Sequence, residues 1–123
     1  MDRERFESIV ERSFEHLPSQ FREAVDNVRI IVEDYPSDEL VKSLRLKSRH
    51  HLLGLYQGIP LTLRGGWYGM SPVPPDTISL YQRNIEASSR DDEETERNIY
   101  ETLVHELGHY FGMNEDEVQA AGY

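Results

Sequence analysis

Two histidines and a glutamate in the last fifth of the chain have the types and spacing of a metal-dependent hydrolytic site. They are His105, Glu106 and His109, within the stretch HELGHYFGMNE. Residues four apart on a helix project from one face about one turn apart, so both imidazoles would point at a single ion. Glu106 lies about 100° around the helix from His105, beside the ion. Two neutral nitrogens can hold the ion while the carboxylate takes a proton from bound water.

The residues after His109 offer a third ligand. Gly112 is where the helix is expected to end, because glycine adopts the left-handed cap without strain. A turn there lets the chain fold back, so that Glu115 can reach the ion. Two histidines and a carboxylate leave the fourth tetrahedral position to water, which is typical of catalytic zinc sites. We predict one Zn²⁺ per chain, with Glu106 as the general base; another divalent ion in the same ligand set stays open.

A polar helix face with a solvated Glu115 is the alternative interpretation of the same residues. The chain has no cysteine, which excludes disulfides and every thiolate metal site. Any metal must therefore be held by His, Asp or Glu.

The elements that would position these residues alternate between helical and strand patterns. Apolar residues recur at helical spacing near the N-terminus, runs of β-branched residues alternate further on, and helical spacing returns before the two histidines. The pattern predicts helices at about 2–16 and 20–26, strands at 28–35, 52–56 and 77–85, a long helix at about 91–111 and a brief helix at the C-terminus. This order indicates an α+β fold with a small mixed sheet of three to four strands packed on helices, in a single domain of residues 1–123.

The long helix carries its own start signal and its own apolar stripe. Asp91 followed three residues later by Glu94 fits a capping box, and acids crowd the positive end of the helix dipole. Ile99, Leu103 and Leu107 then recur every four residues, offset from the histidines. The stripe can pack into a core while the histidines line a cleft.

The charge balance limits the partners. The net charge is −10, distributed as 5 basic and 11 acidic residues in 1–41, 7 and 2 in 42–90, and 1 and 10 in 91–123. An acidic chain is repelled by phosphate, so neither nucleic acid nor an anionic membrane is expected as a partner. The basic stretch 42–51 is the one reservation, and a solvated strand or loop is its simpler interpretation. Without an apolar span or a signal-like N-terminus, we expect a cytoplasmic protein.

HELGHYFGMNE, preceded by a strand ending in LYQRNIE and an acidic helix start, resembles the short zincin-like metallopeptidases with the motif HExxHxxGxx(D/E). The resemblance extends from about residue 52 to the C-terminus and includes LYQGIPLTLR. It implies a zincin-like fold, zinc on His105, His109 and Glu115, and Glu106 as general base. Metzincins have a Met-containing turn well downstream of the third ligand. Only eight residues follow Glu115 in this sequence, so no such turn is expected. The separate later helix that gives thermolysin-like enzymes a third ligand is not expected either.

The sequence indicates less about substrate binding than about metal binding. An edge strand beside the cleft, at 52–56 or 77–85, could pair with an extended peptide. Tyr68 is a conceivable oxyanion donor and Arg64 a conceivable anchor for an acidic group, although an ordinary loop or packing role is the simpler interpretation of both. His50 and His51 are adjacent, so in an extended segment they would point to opposite sides.

The function expected from these residues is zinc-dependent hydrolysis of amide bonds in a peptide or protein substrate. A zinc-bearing interaction module without turnover, on the same scaffold, is the alternative. An acidic interaction domain without metal is the third interpretation.

Overall fold

The fold, seen in a computed structural model, is α+β. Residues 1–25, 27–58 and 76–120 are described, except for the side chain of Gln20. The elements are, in chain order, α1 (Arg3–Glu15), α2 (Ser19–Ala24), β1 (Val28–Glu33), α3 (Asp38–Ser43), a 3₁₀ turn (Arg49–His51), β2 (Gly54–Gln57), β3 (Asp76–Tyr81), α4 (Gln82–Ala87), α5 (Asp92–Tyr110) and α6 (Glu115–Ala120).

The three described strands form one mixed sheet in the order β1–β3–β2. β1 runs parallel to β3, with Ile30 opposite Ile78. β2 runs antiparallel to β3 and brings Tyr56 opposite the same Ile78. The prediction of a small mixed sheet packed on helices is therefore confirmed. Two strands are expected from the sequence as possible edges for a peptide, 52–56 and 77–85. β3 is the central strand, so the expectation for 77–85 is wrong, whereas β2 lies at an edge among the described strands.

The predicted strand at 77–85 ends at Tyr81, and residues 82–87 form α4. Alternation through Gln82 and Arg83 continues the strand pattern in the sequence, but the parallel partner β1 ends opposite Tyr81. Beyond that point Asn84 turns inward, and its Nδ2 donates to the carbonyl oxygens of Arg49 and Leu52 at 2.7 and 2.8 Å. β3 therefore ends at the residue where its pairing with β1 ends.

One hydrophobic core joins α1, the inner face of β3, α4 and α5. The predicted stripe Ile99, Leu103 and Leu107 is buried, with exposed fractions of 3% or less. α1 contributes Phe6 and Ile9, which are also buried. α5 is thus fixed along its length by apolar contact on one side, which leaves the histidine side facing outward.

The start of α5 is fixed by the predicted cap. The Asp91 side chain accepts a hydrogen bond from the backbone N–H of Glu94 at 2.8 Å. Asp92, Glu93 and Glu94 occupy the first turn, where their charges interact favourably with the helix dipole. Cap and core together set the rotation and the position of the histidine face.

The basic stretch 42–51 forms no strand. It contains the end of α3, a turn with Arg45 at a φ of 54°, and the 3₁₀ turn. Its side chains are mostly exposed, in agreement with the simpler interpretation of a solvated segment.

Replacing Leu103 by alanine tests the dependence of α5 on this core. Leu103 is fully buried, so we expect a loss of about 2–5 kcal/mol in the free energy of unfolding, measured by urea denaturation of the metal-free protein. Glu101→Ala is the control, because Glu101 is exposed on the same helix and its loss should change stability by no more than about 0.5 kcal/mol. Equal stabilities for the two variants would contradict the packing.

Candidate metal centre

His105 and His109 project from the outward face of α5. Their ring centroids lie 5.2 Å apart with an interplanar angle of 77°. Both side chains are partly exposed, at 22% and 26%. Their separation of four residues places them about one helical turn apart, as two ligands of one ion require.

The chain reverses direction at Gly112, which has a φ of 88°. The backbone N–H of Gly112 donates to the carbonyl oxygen of His109 at 2.9 Å, and that of Met113 donates to Gly108 at 3.0 Å. This pair of bonds is the Schellman arrangement that closes many helices. Because φ is positive, a side chain at position 112 would strain the turn.

α6 begins immediately after the turn, and its start is fixed by Asn114. The Asn114 side chain accepts from the N–H of Glu117 at 2.8 Å, and the Glu117 carboxylate accepts from the N–H of Asn114 at 3.2 Å. This reciprocal pair is a capping box, readable in the sequence as Asn followed three residues later by Glu. This signal was not recognised in the sequence. The capping box places Glu115 in the first turn of α6.

The Glu115 carboxylate lies against both imidazoles. Its Oε1 is 3.0 Å from His105 Nε2, and its Oε2 is 3.0 Å from His109 Nε2. One ligand atom from each of the three residues lies within 4.8 Å of the other two. Tetrahedral zinc with bonds of about 2.1 Å separates its ligand atoms by about 3.4 Å, so small shifts of the side chains would admit an ion.

The hydrogen bond at Nδ1 of His109 indicates which nitrogen of the ring is available to a metal ion. Its Nδ1 lies 2.9 Å from the carbonyl oxygen of Met113, an acceptor, so Nδ1 carries a proton. In a neutral ring Nε2 then presents its lone pair toward the Glu115 carboxylate oxygen 3.0 Å away. Two acceptors at this distance need a proton or a metal ion between them. A carbonyl on the far nitrogen is also how ligating histidines are usually oriented.

The contacts with the histidines favour the ionised form of Glu115. Burial raises the pKa of the Glu115 carboxyl, but the hydrogen bond from His105 and the attraction of both imidazoles together hold that pKa below its ordinary value. The carboxylate is therefore ionised under neutral conditions, as a metal ligand must be.

Glu106 occupies a different environment on the inner side of α5. It is 7% exposed, and its Oε1 accepts a hydrogen bond from the backbone N–H of Tyr56 in β2 at 2.9 Å. Burial raises the pKa of the Glu106 carboxyl, while the Tyr56 hydrogen bond and the two imidazoles of His105 and His109 oppose the rise. A buried carboxylate with a raised pKa beside a ligand group is suited to accepting a proton.

Gly54 allows β2 to approach α5 closely enough for the Tyr56 contact. A Cβ at position 54 would lie 2.8 Å from Cγ2 of Thr102 and 3.4 Å from Cγ of Glu106. Carbon atoms in contact are normally about 3.5–4.0 Å apart. Sequence reasoning missed Gly54 and Tyr56, because nothing local to them indicates a helix that lies fifty residues further along the chain.

A cleft of about 500 Å³ leads to the site between α5 and the segment 52–54. Its lining combines apolar, hydroxyl and acidic groups, among them Leu52, Leu53, Thr102, His105 and Glu106. Glu106 and His105 can be reached from the protein surface through this cleft.

The other sequence candidates lie apart from this centre. Tyr68 and Arg64 fall outside the described residues. His50 and His51 form part of the exposed 3₁₀ turn, where His50 packs edge-on against Tyr35. Within residues 1–25, 27–58 and 76–120, His105, His109 and Glu115 are the group of His, Asp or Glu side chains placed to hold a metal together.

Comparisons with known proteins identify the family. The sequence matches the zincin-like metallopeptidase family over residues 25–123, and the chain belongs to it. A conserved hypothetical protein from Thermus thermophilus has a similar structure, with a TM-score of 0.55 at 24% identity over 98% of both chains. That similarity concerns the fold alone. Among curated proteins none matches the sequence.

In the described part of the chain, no helix has the length and apolar character needed to cross a membrane.

Replacing Gly54 by alanine should separate β2 from α5. The new methyl group would overlap Thr102, so we expect a loss of about 1–3 kcal/mol in the free energy of unfolding and faster hydrogen exchange at the Tyr56 N–H. Thr102→Ser removes the overlapping Cγ2 and keeps a hydroxyl to donate to Asn98. The double variant should recover part of the loss; no recovery would show that the Thr102 contact is not what limits the approach.

The raised pKa of Glu106 predicts a pH-dependent difference between the wild type and Glu106→Gln, both metal-free. A carboxyl whose pKa is higher in the folded state stabilises the fold below its unfolded pKa, near 4.5, and loses that contribution as pH rises through the folded pKa. The wild type should therefore lose stability relative to Glu106→Gln as the pH rises above 4.5, measured by urea denaturation at a series of pH values. A constant difference would contradict burial of the charge.

Proposed function

We propose that the chain is a zinc-dependent metallopeptidase that hydrolyses amide bonds with Glu106 as general base. The observation that carries the proposal is a three-ligand set formed by α5 and α6 beside a buried carboxylate on α5. His105, His109 and Glu115 converge as a three-ligand set, and the adjacent Glu106 is buried and held by Tyr56. Membership of the zincin-like metallopeptidase family supports the same function.

The ligand set suits zinc. Two imidazole nitrogens and one carboxylate leave a fourth coordination position, which is the composition of catalytic zinc sites. Zinc bound there would polarise the substrate carbonyl and lower the pKa of a bound water to about 7. The Met113 carbonyl would fix the His109 ring, and the ionised Glu115 would contribute negative charge.

Glu106 would supply the proton transfers of the reaction. One carboxylate oxygen is held by the Tyr56 N–H, which fixes the side chain and leaves the second oxygen to act. That oxygen accepts a proton from water as the water oxygen bonds to the scissile carbonyl carbon. The same proton then passes to the leaving nitrogen as the C–N bond breaks, which yields a carboxylic acid and an amine.

The cleft would hold an extended peptide beside Glu106. Its volume of about 500 Å³ is within the range of small-ligand sites, so a few residues of peptide fit at a time. Leu52 and Leu53 offer apolar contacts on the side opposite α5. This placement uses β2, an edge strand among the described strands, and the segment before it, since the central strand β3 has no edge to offer.

Replacing Glu106 by glutamine should separate metal binding from turnover. The variant keeps the three ligands, so we expect one zinc per chain by elemental analysis, as in the wild type. Hydrolysis of a peptide library should fall by at least about 100-fold in kcat, because the amide cannot accept the proton. His105→Ala should lose the zinc as well as the activity.

Glu93→Gln is the matched control, since Glu93 is exposed in the first turn of the same helix and far along it from the histidines. Its zinc content and activity should equal those of the wild type. Undiminished hydrolysis by Glu106→Gln would overturn the proposed mechanism. Stoichiometric zinc without cleavage of any peptide would instead favour a zinc-bearing interaction module.

A further inference from the structure

Gly108 lies on α5 between the two histidines, at the point where α6 packs across the helix. A Cβ at this position would lie 2.8 Å from Cγ2 of Val118 and 3.6 Å from its Cγ1. Ordinary carbon contacts are about 3.5–4.0 Å, so the first of these distances is too short for a side chain of any kind. α6 therefore packs directly against the backbone of α5 at Gly108.

Val118 has little freedom to move away from such a side chain. It is fully buried, and it is the buried residue among the six of α6. Its β-branched side chain favours a single rotamer in a helix, so rotation of the methyl groups offers little relief. A group added at position 108 would therefore push Val118, and α6 with it, away from α5.

Displacement of Val118 would be passed to Glu115. The two residues lie three apart on α6 and therefore on neighbouring positions of one face. The backbone N–H of Val118 donates to Asn114 at 3.0 Å, and the Asn114–Glu117 capping box closes the same turn. Residues 114–118 thus move together, with Glu115 among them.

We propose that Gly108 is a positioning residue that sets the distance of Glu115 from the two histidines and thereby the affinity for metal. Restoring ordinary contact at position 108 requires a shift of about 0.7 Å or more. Ligand distances in metal sites are kept within about 0.2 Å, so this shift is large enough to weaken coordination. The inference rests on the proposed function, in that Glu115 serves as a zinc ligand.

Gly108→Ala tests the inference directly. Alanine favours a helix interior over glycine, so any loss of zinc affinity cannot come from weaker helix formation. We expect affinity to fall on the order of ten- to hundred-fold, the range found for changes just outside a ligand shell. The measurement is a titration of metal-free protein with Zn²⁺ in competition with a chelator of known affinity, with circular dichroism to establish folding.

Two backgrounds show the route by which Gly108 acts. In Glu115→Ala the ligand that would be displaced is already absent, so adding Gly108→Ala should change zinc affinity less than about three-fold. In Val118→Ala the overlapping methyl groups are removed, so Gly108→Ala should again have little effect. Val118→Ala alone is a second probe, because loss of the anchor of α6 should lower affinity through Glu115 even if Gly108→Ala does not fold.

The outcomes distinguish the inference from the proposed function. Zinc binding by the wild type with equal affinity in Gly108→Ala and Val118→Ala would overturn the role of Gly108 and leave the metal site standing. An equally large loss in the Glu115→Ala background would also overturn it, because the effect would then not pass through Glu115. Failure of the wild type to bind zinc would overturn the proposed function and the inference together.

Discussion

The course of the chain after α5 depends on the backbone at Gly112. A helix continued past Tyr110 would carry residue 115 about 1.5 Å further along the axis with each step and away from His105. With φ at 88° the chain instead returns across α5, and Glu115 meets both histidines within 3.0 Å. The Schellman bonds satisfy the carbonyl groups of Gly108 and His109, and the capping box satisfies the N–H groups of Asn114 and Glu117. The turn between the two helices is thus closed by hydrogen bonds on both sides.

The candidate base is placed by a different kind of constraint. Burial of a carboxylate such as Glu106 is unfavourable unless donors reach it. The Tyr56 N–H reaches it because Gly54 lets β2 lie against α5. The sheet therefore contributes a hydrogen-bond donor to Glu106 on α5 in addition to apolar packing. Burial raises the pKa of Glu106, which makes it a stronger base, and the same burial lowers the stability of the fold. This compromise is expected where a reactive group lies in a core.

The sequence predicted the parts of this structure that depend on neighbouring residues. Helical periodicity located α5 and its buried stripe, Asp91 marked its start, and Gly112 marked its end. Nothing local marks the end of β3 at Tyr81, since the alternation runs on through Gln82 and the limit is imposed by the length of β1. The close approach of Gly54 to α5 likewise depends on tertiary packing. Periodicity describes one element at a time, so contacts between elements distant in the chain escape it.

The candidate metal ligands and the candidate base differ in the length of chain that must be ordered to assemble them. His105 and Glu115 are ten residues apart, so a helix, a turn and one further helical turn suffice to form the ligand set. Glu106 and Tyr56 are fifty residues apart, and their contact exists only when the sheet has docked on α5. Closing a short loop loses less chain entropy than closing a long one. On the proposed function, the candidate ligands can therefore come together before the fold is complete, whereas the candidate base is held in place only in the fully assembled molecule.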